Sequence, residues 1–350
     1  DVENRPTQLR YGADNRKVNY IYDAIGRIAT RAANSMQTSY LTTYQYLAPE
    51  NGDSIQTTPL VQSITQNGQS FSYTYDNVGN ITSVTRNGLT TTYEYDSLGQ
   101  LTRVNDPHAG KSTMYLYDCG GNMTGYLSAP YTLAPTLEGV NETVFYTYGD
   151  SNWKDKVTAI GGKAITYDAI GNPLTYDGWT FTWKAGRMLA SMVKSGTNAQ
   201  FTYDYNGLRI RKIVNGVTTN YTLNGKNVVH MTQGSHDLHF FYDAQGKPGM
   251  VTYNDVDYFY VYNLQGDVVA LIDANGTQVV EYGYDAWGNP ISKTGSLAAT
   301  IGTLNPFRYR GYVYDEETGL YYLQSRYYSP NWKRFINVDQ SLNEKNLFVY

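Results

Sequence analysis

Residues 81–99 read ITSVTRNGLTTTYEYDSLG, and this stretch decides the fold. Two runs rich in β-branched and aromatic residues lie on either side of Asn87-Gly88. Asn-Gly in this setting is a strong signal for a β-hairpin, because both turn residues need a positive φ. The tetrad from Asp96 to Gly99 predicts a second turn, since Asp binds the backbone ahead of it and Gly accepts a left-handed conformation. One unit is therefore strand, Asn-Gly turn, strand, Asp-x-x-Gly turn.

The Tyr-Asp-x-x-Gly part of this unit recurs along the chain. Its tyrosine stands at Tyr75, Tyr95 and Tyr117, which are steps of 20 and 22 residues. A repeat of this length predicts one extended repeat architecture rather than several unrelated domains. The turn residues assigned to the repeat are Asp23, Gly26, Asp76, Gly79, Asp96, Gly99, Asp168, Gly171, Asp204, Gly207, Asp285 and Gly288.

The repeat predicts an all-β fold built as a continuous antiparallel hairpin meander. Two strands per period over 350 residues exceed the roughly 10 strands that an open sheet holds without curling. The sheet is therefore expected to wind into a curved sheet or shell, and residues 296–304 are the one short helical candidate. Seven Asn-Gly pairs supply the hairpin signal, and they begin at Asn51, Asn67, Asn87, Asn206, Asn215, Asn224 and Asn275.

The composition excludes several classes of function. The net charge is −4, so no basic surface predicts a nucleic-acid partner. No apolar run approaches the roughly 18 residues of a membrane-spanning helix. Residues 1–4 show no secretory leader pattern and no initiator Met, so the sequence is expected to be a piece of a longer chain. Cys119 is the single cysteine, which excludes an intrachain disulfide.

The last fifth of the chain departs from the period and interleaves arginines with aromatics. It reads NPFRYRG at 305–311, YDEETGLYY at 314–322, RYYSP at 326–330 and KRF at 333–335. The residues that form this ordered motif include Arg310, Gly311, Tyr327, Tyr328, Pro330, Arg334 and Phe335.

The repeats and this ordered terminal motif resemble the Rhs/YD-repeat family, over essentially all of residues 20–350. The resemblance implies a hollow β-shell, similar to those of Tc toxin C subunits and teneurins. It divides the chain into a YD-repeat shell segment, 1–304, and an Rhs repeat-associated core segment, 305–350, that stops before a second cleavage aspartate. The implied function is a wall that encloses and helps deliver a C-terminal toxin, the partner expected in the parent chain, in a secreted or cell-surface bacterial protein.

The same resemblance implies part of an aspartyl self-cleavage site. Arg326 and Asp339 match the family's arginine and first aspartate, whereas the second aspartate falls beyond Tyr350. The sequence departs from the family at Lys333, where the family has Gly, and at Gln340, where it has Pro. Because two close carboxylates must share the acid and base roles, this segment alone is predicted not to be an enzyme. The alternative is a structural role, with Arg326 paired to Asp339 or stacked on tyrosines.

Two further interpretations of the sequence remain open. The 36 tyrosines allow an alternative function as a cell-surface adhesion module, which would bind glycans by aromatic stacking or would bind a partner on another cell. His230, His236 and His239 lie within ten residues, but His236 and His239 are three apart and face opposite sides of a strand. They are interpreted as solvated histidines, and no metal or cofactor is predicted.

Overall fold

The computed structural model describes residues 1–12, 16–34, 39–48, 58–338 and 348. Twenty-seven strands form one sheet in which each strand pairs antiparallel with its neighbours in sequence. The all-β fold and the antiparallel meander that the repeat predicts are confirmed. We call this sheet the wall.

The wall contains strands of two to eight residues. In chain order they are β1 Gln8–Arg10, β2 Lys17–Tyr22, β3 Ile28–Asn34, β4 Ser39–Tyr46, β5 Val61–Gln66, β6 Gln69–Tyr75, β7 Ile81–Arg86, β8 Leu89–Tyr95, β9 Leu101–Asp106, β10 Lys111–Tyr117, β11 Met123–Pro130, β12 Glu142–Thr147, β13 Ala159–Ile160, β14 Lys163–Tyr167, β15 Pro173–Tyr176, β16 Trp179–Lys184, β17 Met188–Lys194, β18 Thr197–Tyr203, β19 Arg209–Val214, β20 Val217–Asn224, β21 Asn227–Gln233, β22 His236–Tyr242, β23 Pro248–Tyr253, β24 Val256–Tyr262, β25 Val268–Asp273, β26 Gln278–Tyr284 and β27 Pro290–Thr294.

A smaller second sheet comes after the wall. The helical candidate at 296–304 contains one short helix, α1 Ile301–Leu304, and a 3-10 turn covers Tyr309–Gly311. The second sheet has four antiparallel strands, β28 Val313–Asp315, β29 Leu320–Tyr322, β30 Tyr327–Ser329 and β31 Arg334–Phe335. Within the described residues, no helix has the length and apolar character needed to cross a membrane.

Three of the Asn-Gly pairs form the hairpin turns that the sequence predicts. Asn67, Asn87 and Asn215 have φ of 45°, 51° and 49°, and the glycine after each also has a positive φ. The prediction is wrong for Asn206 and Asn275, because these residues lie inside Asp-x-x-Gly turns.

The two remaining Asn-Gly pairs differ from the first three in other ways. Asn224 ends β20 and pairs with Asn227, so the turn is formed by the two residues between them. Asn51 lies outside the described residues. An Asn-Gly pair is thus a hairpin signal only where the flanking strands leave it as the two-residue connection.

Each Asp-x-x-Gly turn is held by its aspartate. The Asp96 carboxylate accepts hydrogen bonds from the backbone N–H of Leu98 and Gln100, both at 2.9 Å. The Gly99 N–H donates to the Asp96 carbonyl at 3.0 Å, and Gly99 has φ of 75°. Asp23, Asp76, Asp168, Asp204 and Asp285 make the same pair of side-chain contacts.

The repeat tyrosine fastens its own unit to the preceding one. The Tyr95 hydroxyl donates to the Ile81 carbonyl, 14 residues earlier, at 3.0 Å. The carbonyl belongs to the residue that begins the strand after the previous Asp-x-x-Gly turn. A hydroxyl-to-carbonyl bond over the same 14 residues joins Tyr75 to Val61, Tyr203 to Leu189, Tyr242 to Val228 and Tyr262 to Pro248. These hydroxyls are therefore structural hydrogen-bond donors along the wall.

The wall winds past itself, as a curved sheet of this length must. The Tyr11 hydroxyl donates to the Tyr242 carbonyl, 231 residues later, at 2.5 Å. Further along, Arg86 contacts Glu281 at 2.6 Å across 195 residues. One hydrophobic cluster contains side chains from both regions, including Val18 and Met250. The early strands therefore stack against strands about 200 residues further along, as successive laps of a spiral.

Candidate functional site: the closing segment on the wall

The candidate site is the contact between the wall and residues 305–338, which we call the closing segment. Its second sheet is almost entirely buried: all residues of β29, β30 and β31 are inaccessible to solvent or nearly so. Tyr321 and Tyr328 are fully buried and pair across β29 and β30. The segment therefore packs as a core against the wall.

One buried ion pair fixes the beginning of the closing segment. The guanidinium of Arg209, in β19, donates to the Asp315 carboxylate at 2.5 and 3.1 Å. Lys212 reaches the same carboxylate at 3.1 Å and Glu317 at 2.8 Å. The Arg209 side chain is 1% exposed and the Asp315 side chain 0%. A pair so deeply buried is strongly destabilising to break, since one partner would be left charged and unpaired.

The contacts among Arg209, Lys212 and Asp315 shift the pKa values of the carboxyl and the ammonium. Burial alone would raise the pKa of Asp315, but the charges of Arg209 and Lys212 lower it below its ordinary value. Burial would lower the pKa of Lys212, and the Asp315 charge overrides that effect and raises it. All three groups are therefore ionised at neutral pH.

Three tyrosine hydroxyls of the closing segment bind the last Asp-x-x-Gly turn of the wall. Tyr321 donates to the Gly288 carbonyl and Tyr328 to the Trp287 carbonyl, both at 2.7 Å. Tyr309 donates to the Ala286 carbonyl at 3.1 Å. Gly288 has φ of 81°, and a Cβ there would lie 2.4 Å from the Tyr309 ring. The glycine is thus needed both for the turn and for the close approach of the ring.

A second group of contacts reaches wall strands far from that turn. The hydroxyls of Tyr327 and Tyr203 are 2.6 Å apart. The Tyr146 hydroxyl donates to the Trp332 carbonyl at 3.2 Å. Arg334 donates to the Tyr148 hydroxyl at 2.9 Å and to the carbonyl of Asp155 at 2.8 Å. The closing segment therefore bridges parts of the wall from β12 to the turn between β26 and β27.

The rest of the terminal motif forms tight turns. Arg310 and Gly311 have φ of 55° and 70°, and the Arg310 N–H donates to the buried Asp267 carboxylate at 2.9 Å. Burial raises the pKa of Asp267 and outweighs its hydrogen bonds. Pro330 is buried, and its carbonyl accepts the Lys333 N–H at 3.3 Å.

The structure places one of the two candidate cleavage residues. The Arg326 guanidinium carbon lies 3.6 Å from the centre of the Phe335 ring, a close cation–π contact. Asp339 lies outside the described residues, as does Gln340. Whether Arg326 and Asp339 meet therefore stays a prediction.

Lys333 occupies a backbone conformation that favours glycine. Its φ is 53°, so the backbone is left-handed at this position, where the motif that the chain resembles has Gly. The ammonium lies 4.1 Å from the centre of the Tyr126 ring, and burial lowers the pKa of Lys333 against the opposing charges of Asp285 and Glu142. Burial also raises the pKa of Asp285.

Sequence reasoning missed the wall residues that receive the closing segment, including Arg209, Lys212 and Tyr203. One signal was available, since Arg209, Arg211 and Lys212 bring three charges into one strand of a chain with only 17% charged residues. The sequence alone does not say which of them turn inward. In the structure Arg209 and Lys212 are buried and Arg211 is exposed.

A family model described as Teneurin YD-shell matches residues 65–349. The tRNA3(Ser)-specific nuclease WapA of Bacillus spizizenii is 37% identical over 232 residues, which cover 64% of this chain and 9% of that protein. The tRNA nuclease WapA of Bacillus subtilis is 36% identical over 232 residues, with the same coverage. The chain thus spans about a tenth of the length of these curated relatives.

Two solved structures share the fold at low sequence identity. The crystal structure of TcdB2-TccC3 without its hypervariable C-terminal region has a TM-score of 0.70 and 19% identity, over 95% of this chain and 20% of that one. The crystal structure of TcdB2-TccC3-TEV has a TM-score of 0.69 and 20% identity, over 95% and 20%.

Proposed function

The chain belongs to the teneurin YD-shell family, and from that premise we propose that its wall encloses a toxin carried in the same protein. A structural shell role is expected from the fold, which it shares with the TccC3 complexes. The step to encapsulation and delivery is our proposal. It is supported by the relatives named as tRNA nucleases, which are far longer than the segment they share with this chain.

The observation that carries the proposal is the set of contacts by which the closing segment is attached to the wall. Residues 305–338 contribute three tyrosine-hydroxyl hydrogen bonds to backbone carbonyls of one turn and a buried ion pair to β19. Such a segment fixes strands from different parts of a curved sheet relative to one another. We therefore propose that it closes one end of the shell and separates the wall segment, 1–304, from the region after residue 350. We also propose that the protein is bacterial and secreted or held at the cell surface.

The described surface offers little for sugar stacking. Among the described tyrosines, only Tyr131 and Tyr205 have exposed side chains. Most of the others pack in the core or donate their hydroxyls within the wall and the closing segment. The tyrosine abundance is thus accounted for by the architecture, and the glycan-binding alternative has no supporting contact.

A protease-protection experiment on the complete native protein tests the proposal. The region after residue 350 is compared with the same region expressed alone, under limited trypsin. Enclosure predicts that this region survives in the complete protein and is cut when expressed alone. Equal rates of cleavage in the two samples would refute enclosure.

We propose, further, that Arg326 and Asp339 are part of a self-cleavage site that a carboxylate beyond residue 350 completes. The support is the match of both residues to the resembling motif and the fixed position of Arg326 over Phe335. The test is the intact mass of the complete protein beside Arg326→Ala and Asp339→Asn. Two fragments in the wild type and one in both variants are expected, whereas a single uncut wild-type mass would contradict self-cleavage.

A further inference from the structure

Two histidines stand directly opposite each other on neighbouring strands of the wall. His230 in β21 and His239 in β22 are paired in the antiparallel register. Their rings stack with centres 4.3 Å apart and planes 18° apart. Directly paired residues share one face of the sheet, so both imidazoles project to the same side.

Asp237 lies on this face too, because it is two residues before His239 in the same strand. One carboxylate oxygen lies 3.0 Å from His230 Nε2 and the other lies 2.9 Å from His239 Nε2. The possible ligand atoms of the three residues lie within 4.8 Å of one another. Within the described part of the chain, this is the group of three histidine, cysteine or acidic side chains whose ligand atoms lie close enough together to hold one metal ion.

We propose that His230, Asp237 and His239 form a surface site for a divalent transition-metal ion such as Zn²⁺. Two imidazole nitrogens and one carboxylate oxygen are ligands that zinc accepts, with metal–ligand distances of about 2.0–2.2 Å. Tetrahedral geometry at those distances separates donor atoms by about 3.4 Å, slightly more than the two present contacts between the histidines and Asp237. Small outward rotations of the exposed side chains provide that difference.

The exposure of the three side chains supports an open site. The side chains of Asp237 and His239 are about half exposed, at 48% and 53%, and that of His230 is 26% exposed. Three protein ligands leave a fourth position on the solvent side for water or a donor from another molecule. The backbone beneath is fixed, because the opposite face of the same hairpin buries Met231 and Leu238.

The neighbouring His236 provides a matched control within the chain. It faces the other side of β22, and its Nδ1 lies 2.8 Å from the Tyr253 hydroxyl. The fourth histidine, His108, lies in the turn between β9 and β10. A binding signal that depends on the proposed site must survive removal of either of these two.

The test is a titration of untagged, chelator-treated protein with Zn²⁺ by calorimetry, and with Co²⁺ by visible absorption. Wild type, His236→Ala and His108→Ala are each expected to bind one equivalent. His239→Ala and His230→Ala are expected to weaken binding at least about tenfold, since each loses one of three ligands.

Circular dichroism confirms that each variant is folded, which the exposure of His239 favours. Absence of stoichiometric Zn²⁺ binding to the wild type would overturn the proposal. So would unchanged affinity in His239→Ala, or an equal loss in His236→Ala.

Discussion

Arg209 and Asp315 lie 106 residues apart in sequence and meet through two hydrogen bonds, of 2.5 and 3.1 Å, with both side chains out of reach of solvent. The pair joins the wall to the closing segment at a point that neither strand period nor turn chemistry specifies. It also makes the attachment measurable, because a buried pair that loses one partner is strongly destabilised.

Asp315→Asn is expected to lower the free energy of unfolding by about 3–5 kcal/mol, because Arg209 stays buried without its counter-charge and Lys212 keeps only Glu317. Urea unfolding monitored by tryptophan fluorescence measures the loss. The matched control is Asp177→Asn, which breaks the exposed contacts with Lys163 and Lys194. That change should cost no more than about 1 kcal/mol. Similar losses at the two sites would contradict the role of the buried pair.

Acid should weaken the same attachment. The pKa of Asp315 is lowered in the folded chain by Arg209 and Lys212. Its stabilising contribution is therefore complete above the ordinary value of about 3.9 and is lost as the pH falls through the lower folded value. Urea midpoints measured from pH 7 to pH 3 should fall more steeply below pH 4 in the wild type than in Asp315→Asn. If the urea midpoints of wild type and Asp315→Asn fell equally steeply below pH 4, Asp315 would not be the source of the pH dependence.

The repeat tyrosines should act as hydrogen-bond donors. Tyr95→Phe and Tyr242→Phe remove the bonds to Ile81 and Val228 and keep the ring. Each should cost about 0.5–1.5 kcal/mol of unfolding free energy, the usual net value of such a hydrogen bond. Tyr205→Phe is the control, since its side chain is 96% exposed. A loss at Tyr205 equal to that at Tyr95 would contradict the assignment.

The glycine of the last turn should be more sensitive than the same glycine elsewhere. Gly288→Ala places a Cβ 2.4 Å from Tyr309, whereas Gly99→Ala at the equivalent position meets nothing within 4 Å. Both glycines have a positive φ, so both variants carry backbone strain of about 1 kcal/mol. Gly288→Ala should cost at least about 1–3 kcal/mol more because the ring must move. Equal thermal shifts in the two variants would mean that the ring does not seat on this turn.

Residues 1–350 alone should not cut themselves. One candidate aspartate lacks the second carboxylate that would share the acid and base roles. Incubation across pH 4–8 and then intact mass analysis should give a single species. Two fragments that also appear in Arg326→Ala would contradict both the predicted absence of self-cleavage and the role of Arg326.

The local part of the fold could be predicted from the sequence because its causes are local. The Asp96 turn depends on contacts no more than four residues away, and the hairpin at Asn87 depends on two φ angles. The closing segment was marked in a different way, by its departure from the repeat period and by the resemblance of its ordered motif to a known family.

The long-range part could not be predicted in the same way. The ion pair between Arg86 and Glu281 depends on how many strands complete one turn of the spiral, and that number is set by the sum of small strand twists and bulges. Which side chains of β19 are buried could not be predicted either. Strict alternation would put Arg209 and Lys212, three residues apart, on opposite faces, yet both are buried. The histidine pair was missed because the relevant partners, His230 and His239, meet across strands rather than along one.

Electron cryomicroscopy of the complete native protein tests the central claim most directly. We expect a hollow β-walled particle in which residues 1–350 form part of the wall and the region after them lies as density inside. A solid or thread-like particle, or a shell whose interior is empty while that region extends outside, would contradict enclosure.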